Sequence, residues 1–209
     1  MQGLFSKSCN YIADMNSIAL CSKIYFDNKR TTMSLLSYTQ AYNDNLLMLL
    51  LRDHKRYMPI VEFFDTMTRN LSELSWADAE FIAAEVSKAN QSQFCTGIRG
   101  GMTKALKAGS DHSANEKLAL AVKFALKINQ SANSIAQNDV DEMLNGGWSE
   151  QTVEDVVGLV AVQKLYNTIA SGLGFKQLPE GAFAEIGQDT VENGGYVASF
   201  QQFIESPAQ

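Results

Sequence analysis

The stretch Ala89–Gly101, ANQSQFCTGIRGG, holds the side chains best suited to covalent chemistry in this 209-residue chain. Cys95 follows a polar turn at what reads as the first turn of a helix, and Arg99 stands one helical turn further along the same face. Unpaired backbone N–H groups in a first turn favour an anion, and a guanidinium adds a fixed positive charge. Both effects favour thiolate over an ordinary thiol of pKa about 8.5. Glu80 lies on the preceding helix, and a helical hairpin would return its carboxylate toward the turn, where it could carry a proton to or from a reacting atom. The residues alone leave a second reading open. A lone cysteine in a helical chain also serves as a small, inert core filler, and helix charges usually face water.

The elements that must position these groups are helical. The chain has three prolines, its apolar residues recur at helical spacing, and strand alternation is nowhere sustained, so the fold class expected is all-α. A helix over about Ser37 to Asp53 precedes a second with Pro59 in its first turn and Ile60, Phe63, Phe64 and Met67 on one stripe. Ser75 with Asp78 approximates a capping box for a helix carrying Phe81, Ile82, Val86 and Ala89 inward, and the next helix begins close to Cys95. Ser113 with Glu116 forms a second such box, opening a helix through Leu118, Val122, Ala125 and Leu126. Gly146 and Gly147 break the chain before Ser149. That serine caps a long helix with Val153, Val156, Val157, Val160, Leu165 and Ile169 spaced for burial, ended by Gly172 and Gly174. Beyond Leu178, YVASFQQFI reads as a short amphipathic piece packed over the body or across a subunit contact.

Seventeen basic against 23 acidic residues give a net charge of −6 with no basic patch, which argues against nucleic-acid and anionic-membrane partners. Cys9, Cys21 and Cys95 are too few and too scattered for a disulfide framework or a zinc site, and neither His54 nor His112 has a metal-ligand partner at helical spacing. The longest apolar run, LLMLLL at 46–51, falls far short of the roughly 20 residues of a membrane span. The first thirty residues carry Asp14 and Asp27 among their hydrophobes, unlike a secretory segment. A cytoplasmic protein is expected, with no metal, flavin or nucleotide cofactor.

The segment Leu74–Leu106, LSWADAEFIAAEVSKANQSQFCTGIRGGMTKAL, resembles the signature region of the carboxymuconolactone decarboxylase superfamily, in its AhpD-like, peroxidase-related branch. Glu80 takes the place of the signature glutamate, Asn90 of its asparagine, Phe94 of its aromatic residue and Cys95 of the second cysteine of a C-x-x-C pair. Ser92 stands where the first cysteine belongs and Arg99 where a histidine belongs, so the redox pair is broken. The similarity runs from about Ser34 to Phe175. Downstream, Asn167 matches one residue of the family's Asn-Arg pair and Thr168 replaces the other.

The resemblance implies an AhpD-like helical bundle with a site-bearing hairpin over residues 33–178. Residues 1–32 are read as an N-terminal extension or a mis-called start, and 179–209 as a tail with a short helix packing on the body. It further implies a thiol peroxidase reduced to one cysteine: Cys95 as nucleophile, Arg99 as thiolate stabiliser, Glu80 as proton carrier and Ser92 as hydrogen-bonding neighbour. A small peroxide or carboxylate is the expected substrate, an external thiol the reductant, and a homo-oligomer, trimer or hexamer, the assembly. Without a neighbouring cysteine no local disulfide traps the sulfenic acid unless Cys9 or Cys21 intervenes. Two alternatives stand beside this: a lactone-processing or decarboxylase enzyme using Arg99 and Glu80, and a catalytically silent oligomeric scaffold.

Overall fold

The computed structural model describes residues 35–36, 46–106, 115–175, 177–179 and 181–205. The expected extension over 1–32, the first part of the helix from Ser37, and the Ser113 cap lie outside these residues. The described residues are all-α, with no strand. In chain order the helices are α1 (Leu46–Arg52), α2 (His54–Arg69), α3 (Trp76–Ala89), α4 (Gln93–Leu106), α5 (Glu116–Ser131), α6 (Gln137–Asn145), α7 (Glu150–Gly172), α8 (Ala182–Glu192) and α9 (Tyr196–Glu205), with a short 3₁₀ turn at Ala132–Ser134. Helix α3 is central and packs against α2, α4, α5 and α7, while α8 lies along α4 and α9 along α2.

Local signals set several boundaries. Ser75 accepts from the Asp78 backbone N–H while the Asp78 carboxylate accepts from that of Ser75, a complete capping box. Ser149 caps α7 by accepting from the Thr152 N–H at 3.2 Å. Expectations are corrected at α2 and beyond Leu178. Helix α2 starts at His54, so Pro59 sits in its second turn, not its first. Helix α5 is capped by Asn115, whose side chain accepts from the Leu118 N–H. The region beyond Leu178 forms two helices where the sequence pattern suggested one.

Two apolar stripes hold in part: Ile60, Phe64 and Met67 on α2 and Val153, Val156, Val160 and Ile169 on α7 are buried or pack against the core, while Phe63, Val157 and Leu165 are exposed. Phe63 is 50% exposed while Val61 and Phe64 are buried. On α7, Val157 and Leu165 are more than 40% exposed, and the buried face runs through Val156, Leu159, Val160, Gln163, Tyr166, Asn167 and Ala170. Gln163 and Asn167 are tolerated there because they share hydrogen bonds with Ser87 of α3: Gln163 Nε2 donates to Ser87 Oγ at 2.7 Å and to Asn167 Oδ1 at 3.0 Å.

The turn between α3 and α4 decides where the candidate nucleophile sits. It is a Schellman motif: Ser92 N–H donates to the Ser87 carbonyl and Gln91 N–H to that of Lys88. Gln91 occupies the left-handed region at φ 55°. Asn90 ties the turn to α5 through paired amide hydrogen bonds with Asn129, at 2.8 and 3.0 Å. A side chain at Gln91 opposes this conformation and a glycine does not. Gln91→Gly is therefore expected to raise stability by about 0.5–1 kcal/mol, read as a higher urea midpoint with unchanged slope.

Candidate functional site

The α3–α4 hairpin brings Glu80, Ser92, Cys95 and Arg99 into one buried region, each no more than 4% exposed. Cys95 is in the first turn of α4, and Arg99 follows it on the same face. Both line a small pocket shared with Leu46 and Leu50 of α1, Phe64 of α2, Phe94 of α4, Tyr166 of α7 and Tyr196 and Phe200 of α9. It leaves about 20 Å³ for the centre of a water-sized molecule. That is room for one water or something of similar size. Glu80 does not line it.

Arg99 is held from several sides. Its guanidinium stacks on the Phe64 ring at 3.7 Å and lies 4.9 Å and 5.5 Å from the ring centres of Tyr196 and Tyr166. Nη1 pairs with Glu80 Oε2 at 3.5 Å and donates to the Tyr196 hydroxyl. The other carboxylate oxygen, Oε1, accepts from Tyr196 at 2.9 Å and from the Trp76 indole at 3.2 Å. Among the described residues, the buried polar atoms of this site without a hydrogen-bond partner of ordinary geometry are Arg99 Nε, Ser92 Oγ and Glu80 Oε2, the last facing Arg99 only as an ion pair.

Burial dominates the ionisation of this cluster. It pushes the Cys95 thiol above its usual range, and the Ser92 hydroxyl and the Arg99 charge oppose the rise without reversing it. The thiolate expected from the helix start and Arg99 is thus not the resting form. Arg99 and the Ser92 hydroxyl do support it, but desolvation outweighs them. Glu80 is likewise raised by burial, with Arg99 the largest opposing influence, followed by its hydrogen bonds from Tyr196 and Trp76. Arg99 stays charged, since its neighbours offset the cost of its burial.

Tyr196 and Trp76 were not singled out from the sequence. Trp76 lies one helical turn before Glu80, so an i,i+4 pairing was available as a signal. Tyr196 meets Glu80 across 116 positions of sequence, and no local pattern announces that contact. Among the described residues no group of histidine, cysteine and carboxylate side chains could hold a metal ion, and no helix is long and apolar enough to cross a membrane.

No protein-family model and no curated protein matches the chain. Solved structures do. An uncharacterized peroxidase-related protein from Silicibacter sp. TM1040 superposes with a TM-score of 0.62 at 16% identity, over 76% of this chain and 97% of that one. An uncharacterized peroxidase-related protein from Ralstonia eutropha JMP134, described as an alkylhydroperoxidase AhpD core, gives 0.58 at 18% identity, over 68% and 79%. The fold is AhpD-like. At these identities the likeness establishes the fold alone, and the chemistry rests on the side chains just described.

Proposed function

We propose that the protein reduces small peroxides with Cys95 as its single reacting thiol. One observation carries this reading: a free thiol and a partly unpaired guanidinium line one small pocket with room for a molecule of about water's size in an AhpD-like fold. The Cys95 thiolate attacks one peroxide oxygen, the O–O bond breaks, and sulfur becomes a sulfenic acid while the other oxygen departs as water or an alcohol. Two equivalents of an external thiol then return the sulfur to its reduced state, releasing water and a disulfide. Arg99 favours the thiolate and Ser92 supplies a hydroxyl beside it. Because the resting thiol is protonated, the reaction is expected to quicken as pH rises through the Cys95 pKa, above the usual thiol range.

Peroxide consumption driven by a dithiol should be lost in Cys95→Ala and kept when Cys9 and Cys21 are replaced by serine. Unchanged consumption by Cys95→Ala overturns the proposal. A second reading, a silent helical scaffold, is favoured by the depth of the sulfur, 3% exposed, and by its raised pKa. Slow alkylation of Cys95 together with inertness to peroxide at every pH would select that reading.

A further inference from the structure

We propose that the hydroxyl of Tyr196, supplied by the C-terminal helix α9, carries the proton to the departing oxygen when Cys95 opens a peroxide bond, with Glu80 as the proton store behind it. This rests on the peroxidase reading. Oxygen leaving as hydroxide or alkoxide is a strong base and needs a proton at the moment of bond cleavage. Arg99 occupies the cavity but cannot give up its proton near neutral pH. Glu80 can exchange one but lies outside the cavity, fully buried.

Tyr196, unlike Arg99, joins the two through a group that can pass a proton on. Its ring lines the cavity with Cys95, and its hydroxyl donates to Glu80 Oε1 at 2.9 Å while accepting from Arg99. The Trp76 indole donates to the same carboxylate oxygen at 3.2 Å and helps hold Glu80 in place. The aromatic ring is itself fixed edge-on against Phe64, 5.3 Å between ring centres. Tyr166 lines the same cavity from α7, but Glu80 hydrogen-bonds to Tyr196 and not to Tyr166.

The proton balance closes without an added acid. Ionisation of Cys95, a step common to every oxidant, releases one proton to solvent, and the Glu80 carboxylate takes one up from there. As sulfur bonds to one peroxide oxygen, Tyr196 protonates the other and is reprotonated by Glu80. Sulfur loses two electrons and the peroxide gains them.

The test compares two oxidants on the full chain below neutral pH, following Cys95 oxidation by mass spectrometry. Hydrogen peroxide leaves as a strong base and needs the proton. Peracetic acid leaves as a stable carboxylate and does not. Tyr196→Phe, which keeps the ring, is expected to slow the hydrogen peroxide reaction by about 100-fold or more and leave the peracetic acid reaction unchanged. Equal slowing of both oxidants, no slowing of either, or the selective loss appearing in Tyr166→Phe instead would overturn the assignment. Wild-type protein whose Cys95 reacts with neither oxidant would overturn the peroxidase reading and this inference with it, a result distinct from the others. If Tyr196→Phe does not fold, 3-fluorotyrosine at position 196 replaces it. Its more acidic phenol should speed the hydrogen peroxide reaction alone, and an unchanged rate would refute the role.

Discussion

Arg99→Met is expected to destabilise the fold by about 3–5 kcal/mol at neutral pH, the usual result of stripping one partner from a buried ion pair. Glu80 is fully buried, and Arg99 is both its counter-charge and the donor to Tyr196. Without the guanidinium the carboxylate keeps two neutral donors, Tyr196 and Trp76, which do not balance a buried charge.

The loss should depend on pH in a definite direction. Burial already raises Glu80, and removing Arg99, the largest opposing influence, raises it further. A carboxyl raised in the folded state is most favourable when protonated. Relative stability is therefore fully kept below the ordinary value of 4.5 and falls as pH rises through the folded pKa. Urea midpoints of Arg99→Met should be highest in acid and decline toward neutrality, more steeply than in the wild type. Adding Glu80→Gln should recover part of the neutral-pH loss, because the amide carries no charge to strand. A variant whose pH profile parallels the wild type would contradict the pairing described here.

Gly101→Ala should cost about 1–3 kcal/mol or more, since overpacking at a fixed backbone contact has no flexible side chain to absorb it. A Cβ on Gly101 would overlap the carbonyl of Phe183 on α8, and one on Gly187 would overlap the carbonyl of Gly101. The two glycines let α4 and α8 touch backbone to backbone. Forcing them apart would also move Phe183, whose ring meets Phe94 edge-on at 5.9 Å, next to Cys95 in sequence. The neighbouring position supplies a control within the same helix. Among the described residues nothing lies within 4 Å of a Cβ on Gly100, so Gly100→Ala should gain helix propensity, up to about 1 kcal/mol. Opposite shifts of the thermal midpoint from these adjacent substitutions are the expected outcome. Equal shifts would mean that the α4–α8 contact is looser than described.

These residues also show why part of the site was readable beforehand and part was not. The Ser75 and Ser149 caps and the start of α4 beside Cys95 depend on neighbours three or four positions away, which sequence displays directly. Hydrophobic periodicity places Val153, Val156, Val160 and Ile169 of α7 inward correctly but misses Gln163 and Asn167, buried there as a hydrogen-bonded group with Ser87, and wrongly includes Val157 and Leu165, which face outward. The same distinction explains the thiol. A helix start and an i,i+4 arginine argue locally for a thiolate, but the hydrocarbon walls that oppose it come from α1, α2, α7 and α9, distant in sequence and adjacent only in the fold. Tyr196 was invisible for that reason too: read as part of an amphipathic tail, it completes the Glu80–Arg99 pair.

The central claim is that the sulfur of Cys95, though enclosed, is the atom that meets a small oxidant. Brief exposure to dilute hydrogen peroxide, with a sulfenic-acid-specific trap present and peptides resolved by mass spectrometry, tests it most directly. The account predicts the adduct at Cys95, formed faster at higher pH and suppressed by a competing dithiol. Complete absence of the adduct at Cys95 across that pH range, in protein that remains folded, would contradict it.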